Sequence, residues 1–186
     1  MPIAIDNFSY TMEMDTTGVP ESDKEDALNV AGQVILAQIK EYLDKQTTPV
    51  SGGKYKRGLT KDYKALKKSM GEPGIANLQL TDAMLNDLEV DASNSTITFK
   101  IDDGLQRKKA FNHNTGDTLP LRQFLPDDGK EGKFKPNVLK EAKEAINSFK
   151  SEEEEETPLG KEFEGMFKGI TIEQEDSLKE FLKGFL

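Results

Sequence analysis

The chain has 186 residues, 35% apolar and 32% charged, with a net charge of −9 and no cysteine. This length suits one domain with a sizeable core plus an appendage, while the missing cysteines exclude disulfides and thiolate metal sites, no apolar run approaches the roughly 20 residues of a membrane-spanning helix, and the acidity speaks against general nucleic-acid binding. The charge is uneven: Ser151 to Leu186 carries 11 acidic and 4 basic residues, leaving 23 and 21 elsewhere, so a nearly neutral body precedes an acidic tail.

The stretch Met1-Pro2-Ile3-Ala4-Ile5-Asp6 lacks the basic region of a signal peptide, and synthesis in a reducing cytosol is expected. Ile3, Ile5, Phe8, Tyr10, Met12 and Met14 alternate with polar residues, the period of a half-buried strand. Gly18-Val19-Pro20 breaks it, and Ser22-Asp23-Lys24-Glu25 fits a capping box. Behind the box, Leu28, Ala31, Ile35, Ile39 and Tyr42 fall at helical spacing, widened by Val34 and Leu43. The spacing predicts one long amphipathic helix from about Asp23 to Lys45, packed on a sheet.

Thr48-Pro49-Val50-Ser51-Gly52-Gly53 ends that helix and opens a loop. A basic segment follows: Lys54, Lys56, Arg57, Lys61, Lys64, Lys67 and Lys68, anchored by Tyr55, Leu59, Tyr63 and Leu66. It is either a solvated basic face or a contact for phosphates or an acidic partner surface. Ser51-Gly52-Gly53-Lys54 lacks the spacing of a phosphate loop, and Tyr55 stands where that loop needs Ser or Thr. After the break at Gly71-Glu72-Pro73-Gly74, Leu78 and Leu80 start a predicted strand. Thr81 caps a short turn, and Met84, Leu85 and Leu88 form a short apolar stripe. Val90 and Ala92, the turn Ser93-Asn94-Ser95, then Ile97, Phe99 and Ile101 read as a β-hairpin closed by Asp102-Asp103-Gly104.

His113, the single histidine, sits in Phe111-Asn112-His113-Asn114-Thr115-Gly116 and reads as a turn residue rather than a metal ligand, because zinc sites recruit further His or Cys. No Gly-x-Ser-x-Gly nucleophile elbow occurs. The block Leu119-Pro120-Leu121-Arg122-Gln123-Phe124-Leu125-Pro126 is a short apolar run with one Arg, held by prolines at both ends. A rigid segment of this kind suits contact with another subunit. Pro136 fits the first turn of a second helix, with Val138, Leu139, Ala142, Ala145, Ile146 and Phe149 as its stripe. The run Glu152 to Glu156 reads as a solvated linker. Two apolar stripes lie beyond it, containing Phe163, Phe167, Phe181 and Phe185. They predict a helical arm over 151–186 that docks on its own body or on a neighbour.

The order of these segments resembles the tailed-bacteriophage virion morphogenesis and tail-completion proteins, which join head to tail. The resemblance rests on Thr48-Pro49-Val50-Ser51-Gly52-Gly53, Asn77-Leu78-Gln79-Leu80-Thr81-Asp82-Ala83-Met84-Leu85, Phe111-Asn112-His113-Asn114-Thr115-Gly116 and Arg122-Gln123-Phe124-Leu125-Pro126. It covers roughly Ile3 to Phe149. The family often has Gly where this chain has Asp82, and 151–186 has no counterpart in it.

The resemblance implies an α+β connector-type domain over 1–150, an antiparallel sheet with the long helix across it. It implies a structural virion protein without enzymatic activity, metal or cofactor. Such subunits form a homo-oligomeric ring in the neck, between portal-bound connectors and the tail, with other phage neck, portal-adaptor or tail proteins as partners and no membrane contact. On this reading Arg122, Phe124 and Leu125 are interface or interface-supporting residues, Arg122 either facing a neighbouring subunit or bracing its own loop, and Phe163, Phe167, Phe181 and Phe185 are interface candidates on the arm. Lys54, Lys56, Arg57, Lys61 and Lys64 face packaged DNA in the channel or an acidic partner. The alternative is a non-catalytic nucleic-acid-binding module that uses the same basic segment.

Overall fold

A computed structural model describes residues 8–78, 83–93, 95–126 and 133–150. The fold is α+β. Strands β1 (Ser9–Glu13), β2 (Leu88–Ser93) and β3 (Thr96–Ile101) form one antiparallel sheet in the order β1-β3-β2. Helices α1 (Lys24–Asp44), α2 (Lys61–Ser69), α3 (Ala83–Asn86), α4 (Gly104–Thr115) and α5 (Pro136–Asn147) complete it.

The strand register separates the two faces of the sheet. Tyr10 and Val90 both stand opposite Phe99, and Met12 and Ala92 both stand opposite Ile97. These side chains, with Leu88 and Ile101, form the inner face. Ser9, Thr11, Glu89, Asp91, Thr98 and Lys100 alternate with them and form the outer face. That face is polar: Thr11 and Thr98 share a hydroxyl hydrogen bond of 2.9 Å, and Lys100 lies 3.9 Å from Asp91. A sheet with one apolar face needs one covering layer, and α1 supplies it.

Helix α1 buries Ala27, Leu28, Ala31, Gly32, Ile35, Ile39 and Leu43. Each of its fully buried Leu and Ile side chains contributes roughly 1.5–3 kcal/mol. Gly32 sets the closeness of helix to sheet. A Cβ there would lie 2.3 Å from Val90 Cγ1 and 3.1 Å from Ile97 Cγ2, so only glycine permits this approach. Helix α5 begins with Pro136 in its first turn and buries Val138, Ala142 and Ile146 on one stripe. It packs on α1, where the Tyr42 hydroxyl and the Asn137 carboxamide bond each other and Gln38 donates to Glu141 at 2.6 Å. Phe134 joins the core edge-on to Tyr10 and Phe99, with ring centroids 5.6 and 5.9 Å away.

The capping box is not formed. Glu21–Asp23 is a 3-10 turn that follows Pro20, Asp23 has helical backbone angles, and no side chain caps α1. A capping box needs an extended N-cap residue. Instead, the Ser22 hydroxyl donates to Asp23 at 2.7 Å. Leu78 does not start a strand: its φ of +64° is left-handed, outside the extended region that strands require. Leu80, Thr81, Ile3 and Ile5 lie outside the described residues, as does the helical arm expected over 151–186. Helices α2 and α4 form in segments read as loops. Thr60 caps α2 by accepting from the Tyr63 N–H at 3.3 Å. Asp103 caps α4 by accepting from the N–H groups of Leu105 and Gln106. Gly116, at φ +74°, closes α4 with its N–H on Asn112 O at 2.9 Å, the left-handed exit that glycine adopts without strain.

Candidate functional site

The loop after α1 and the Pro-bracketed block lie alongside each other. Lys56 N donates to Leu121 O at 2.7 Å and Gln123 N to Lys54 O at 3.1 Å, framing a bridge between Tyr55 and Arg122. A second bridge joins Val50 to Phe134, flanked by Ser51 N to Lys133 O and Lys135 N to Pro49 O, both 2.8 Å. Helix α4 fastens the block from behind. Arg122 N donates to His113 O at 2.7 Å. The Asn114 carboxamide accepts from the N–H groups of Phe124 and Leu125, each at 2.9 Å, and donates to Leu125 O at 3.1 Å. One buried side chain thus satisfies three backbone groups that have no strand or helix of their own.

The segment before α3 ties into the same place. Lys67, only 2% exposed, donates from Nζ to Asn77 Oδ1 at 2.5 Å and to Ile75 O at 3.1 Å. Asn77 reaches Asp44 at the end of α1 at 3.4 Å. The Tyr55 hydroxyl donates to Ala76 O. Burial pushes the Tyr55 phenol up to about 12, against the opposing pull of Arg122, so it keeps the proton it donates.

Arg122, Phe124 and Leu125 are therefore not surface contacts. They are 5%, 0% and 1% exposed, which leaves Phe124 and Leu125 no area to present to a neighbour. Phe124 packs against Phe8, with ring centroids 5.9 Å apart. Both are core residues that hold the block in place. Phe163, Phe167, Phe181 and Phe185 lie outside the described residues. Lys54, Lys56, Arg57, Lys61, Lys64 and Lys68 are exposed, which fits a solvated basic face and a contact surface alike, whereas Lys67 turns inward.

Next to this junction lies a cleft of about 520 Å³, walled by α2, the segment before α3, α3 itself, α4 and the strip Leu119–Arg122. Its walls are mostly apolar, among them Leu59, Ile75, Met84 and Leu119, and His113, Arg122, Lys67 and Lys109 also line it. His113 is not the turn residue expected. It sits in the last turn of α4, because Asp103 and Gly116 cap a helix across that segment. Burial, and secondarily Arg122, pull its imidazole from 6.5 down to about 4, opposed by the bond with Pro120 O. Among the described residues no group of three His, Asp or Glu side chains could hold a metal ion, and no helix is long and apolar enough to cross a membrane.

Comparison with protein-family models, curated proteins and solved structures finds no match.

His113 gives a measurable pH dependence. Its folded-state value of about 4 lies below the ordinary 6.5, so between these limits the unfolded chain binds the proton and the native protein does not. Stability from this group is complete above pH 6.5 and is lost as pH falls toward 4. The loss is up to about 3 kcal/mol, less whatever solvent screens at the exposed edge of the ring. Denaturant titrations of the wild type and His113→Asn from pH 4 to pH 8 should show the two stabilities diverging over this window. Parallel curves would mean that the imidazole is solvated.

Proposed function

We propose that this chain is a structural virion protein of a tailed bacteriophage, a head–tail connector or tail-completion subunit that assembles as a ring between the portal and the tail. The observation that supports this reading is the joining of two of the segments on which the resemblance rests: His113 O accepts from Arg122 N, and Asn114 accepts from the N–H groups of Phe124 and Leu125. The loop Thr48-Pro49-Val50-Ser51-Gly52-Gly53 runs on into Lys54, whose O accepts from Gln123 N in the same block.

The surface also fits assembly. On α2 and at its C-terminal end the apolar Tyr63, Leu66 and Met70 are 39%, 47% and 51% exposed, beside the exposed Lys61, Lys64 and Lys68. An apolar and basic face of this kind suits contact with an acidic surface, and a head-to-tail contact between copies can close into a ring. Other neck, portal-adaptor or tail proteins are the further partners, the role is non-catalytic, no cofactor is needed, and the place of action is the virion. The exposure of Lys54, Lys56, Arg57, Lys61 and Lys64 favours a second reading, a nucleic-acid-binding module.

Native mass measurement and negative-stain imaging of concentrated protein, alone and with its virion partners, separate the two. Rings or ring fragments are expected. A strict monomer under both conditions overturns the connector reading, and a monomer that binds duplex DNA with a steep salt dependence supports the second.

A further inference from the structure

Arg122 is 5% exposed and lines the cleft beside α4. Its guanidinium has five N–H groups to satisfy. Nη2 donates to Gly58 O at a long 3.3 Å. Nε is buried and has no hydrogen-bond partner. Nη1 lies 3.4 Å from His113 Nδ1, but the same Nδ1 lies 3.3 Å from Pro120 O. A carbonyl oxygen only accepts, so Pro120 O needs Nδ1 to carry a proton; a guanidinium only donates, so Arg122 needs Nδ1 bare. One nitrogen cannot meet both demands. Among the described residues no carboxylate pairs with Arg122.

A buried cation with so few acceptors is costly unless something completes its terminal Nη1 and Nη2 groups, Nε being enclosed by protein. The neighbouring space is suited to do so. The cleft, about 520 Å³, lies in the size range of small-ligand sites. No Asp or Glu among the described residues lines it, while Lys67, Lys109 and the Tyr63 ring do. We propose that this cleft binds an organic carboxylate, with the anion on Arg122 and an apolar body against Leu59, Ile75, Met84 and Leu119. A carboxylate accepts from a planar guanidinium in the forked geometry that Arg favours. A single negative charge suits these largely apolar walls better than a dianionic phosphate, which costs more to desolvate. The carboxylate is carried either by a free small molecule or by an acidic side chain among apolar ones on a polypeptide. The inference is independent of ring formation.

The single histidine makes the site directly observable, because its imidazole resonances in an NMR spectrum of the full chain come from one residue. Hexanoate at millimolar concentration should shift them and raise the His113 titration midpoint, since an anion beside Arg122 favours the imidazolium. Hexanol and inorganic phosphate at equal concentration should not. A short peptide with one Glu among leucines forms the second arm. Response to hexanoate assigns a free acid, and response to the peptide alone assigns a protein segment; either supports the site. Lys109→Glu, on the exposed side of α4, should weaken binding about tenfold or more by placing a like charge at the rim, and Arg122→Lys should weaken it further. No response to either carboxylate, or an equal response to hexanol, overturns the proposal.

Discussion

Asn114→Leu should lower the unfolding free energy by about 3–5 kcal/mol, because it strands three buried backbone groups at once. The carboxamide accepts from the N–H groups of Phe124 and Leu125 and donates to Leu125 O. Phe124 and Leu125 are core residues, so the freed backbone cannot turn to water without pulling their side chains from the interior. Asn114→Asp separates the two functions of the side chain. It keeps both accepting contacts but sets an oxygen against Leu125 O where a donor stood. It should also destabilise strongly at neutral pH and recover in part as the carboxyl takes up a proton. Chemical denaturation measures both variants. A loss below about 1 kcal/mol for Asn114→Leu, the worth of one ordinary hydrogen bond, would show that the block is held by packing alone.

Gly32→Leu should cost at least about 3 kcal/mol, at or above the usual range for overpacking. In an exposed helix, replacing glycine by a better helix former gains up to about 1 kcal/mol. Here the helix lies so close to the sheet that even a Cβ would sit 2.3 Å from Val90 Cγ1, and β-branched Val90 has little rotamer freedom to yield. The smaller change Gly32→Ala should be milder and should be rescued by Val90→Ala, which removes the opposing methyl groups. Gly32→Leu should not be rescued, since its longer side chain also meets Ile97. Thermal unfolding of the single and double variants tests the contact. Independent, additive effects would place the two residues out of reach of each other.

Periodicity made the core legible. The stripe of α1, the hairpin of β2 and β3 and the Pro-started α5 each present their buried residues at a regular spacing. The segments around the cleft could not be read that way, because they bury polar residues and expose apolar ones. Helix α4 buries Asn112 and Asn114 beside Ala110, while Leu105 near its start is 61% exposed. Helix α2 is inverted further: its buried residue is Lys67, while Tyr63 and Leu66 are 39% and 47% exposed. A hydrophobic period cannot find helices whose inner faces are chosen for hydrogen bonds. The usable signal was at their ends, where Asp103 and Gly116 cap α4 and Thr60 caps α2. The same inversion explains why Arg122, Phe124 and Leu125 looked like interface residues. Prolines at both ends suggested an external strip, but nothing local revealed that Asn114 draws that strip into the core.

The inverted helix α2 has a thermodynamic consequence. Most interior elements are held by apolar area, so their release carries a large heat-capacity increment and responds steeply to temperature. The inward side of α2 is Lys67, bonded to Ile75 O and Asn77. Exposure of polar groups contributes to heat capacity with the opposite sign. The inward side of α2 therefore contributes to the heat capacity of unfolding with the opposite sign to the apolar stripe of α1, and its share of the stability should vary less steeply with temperature.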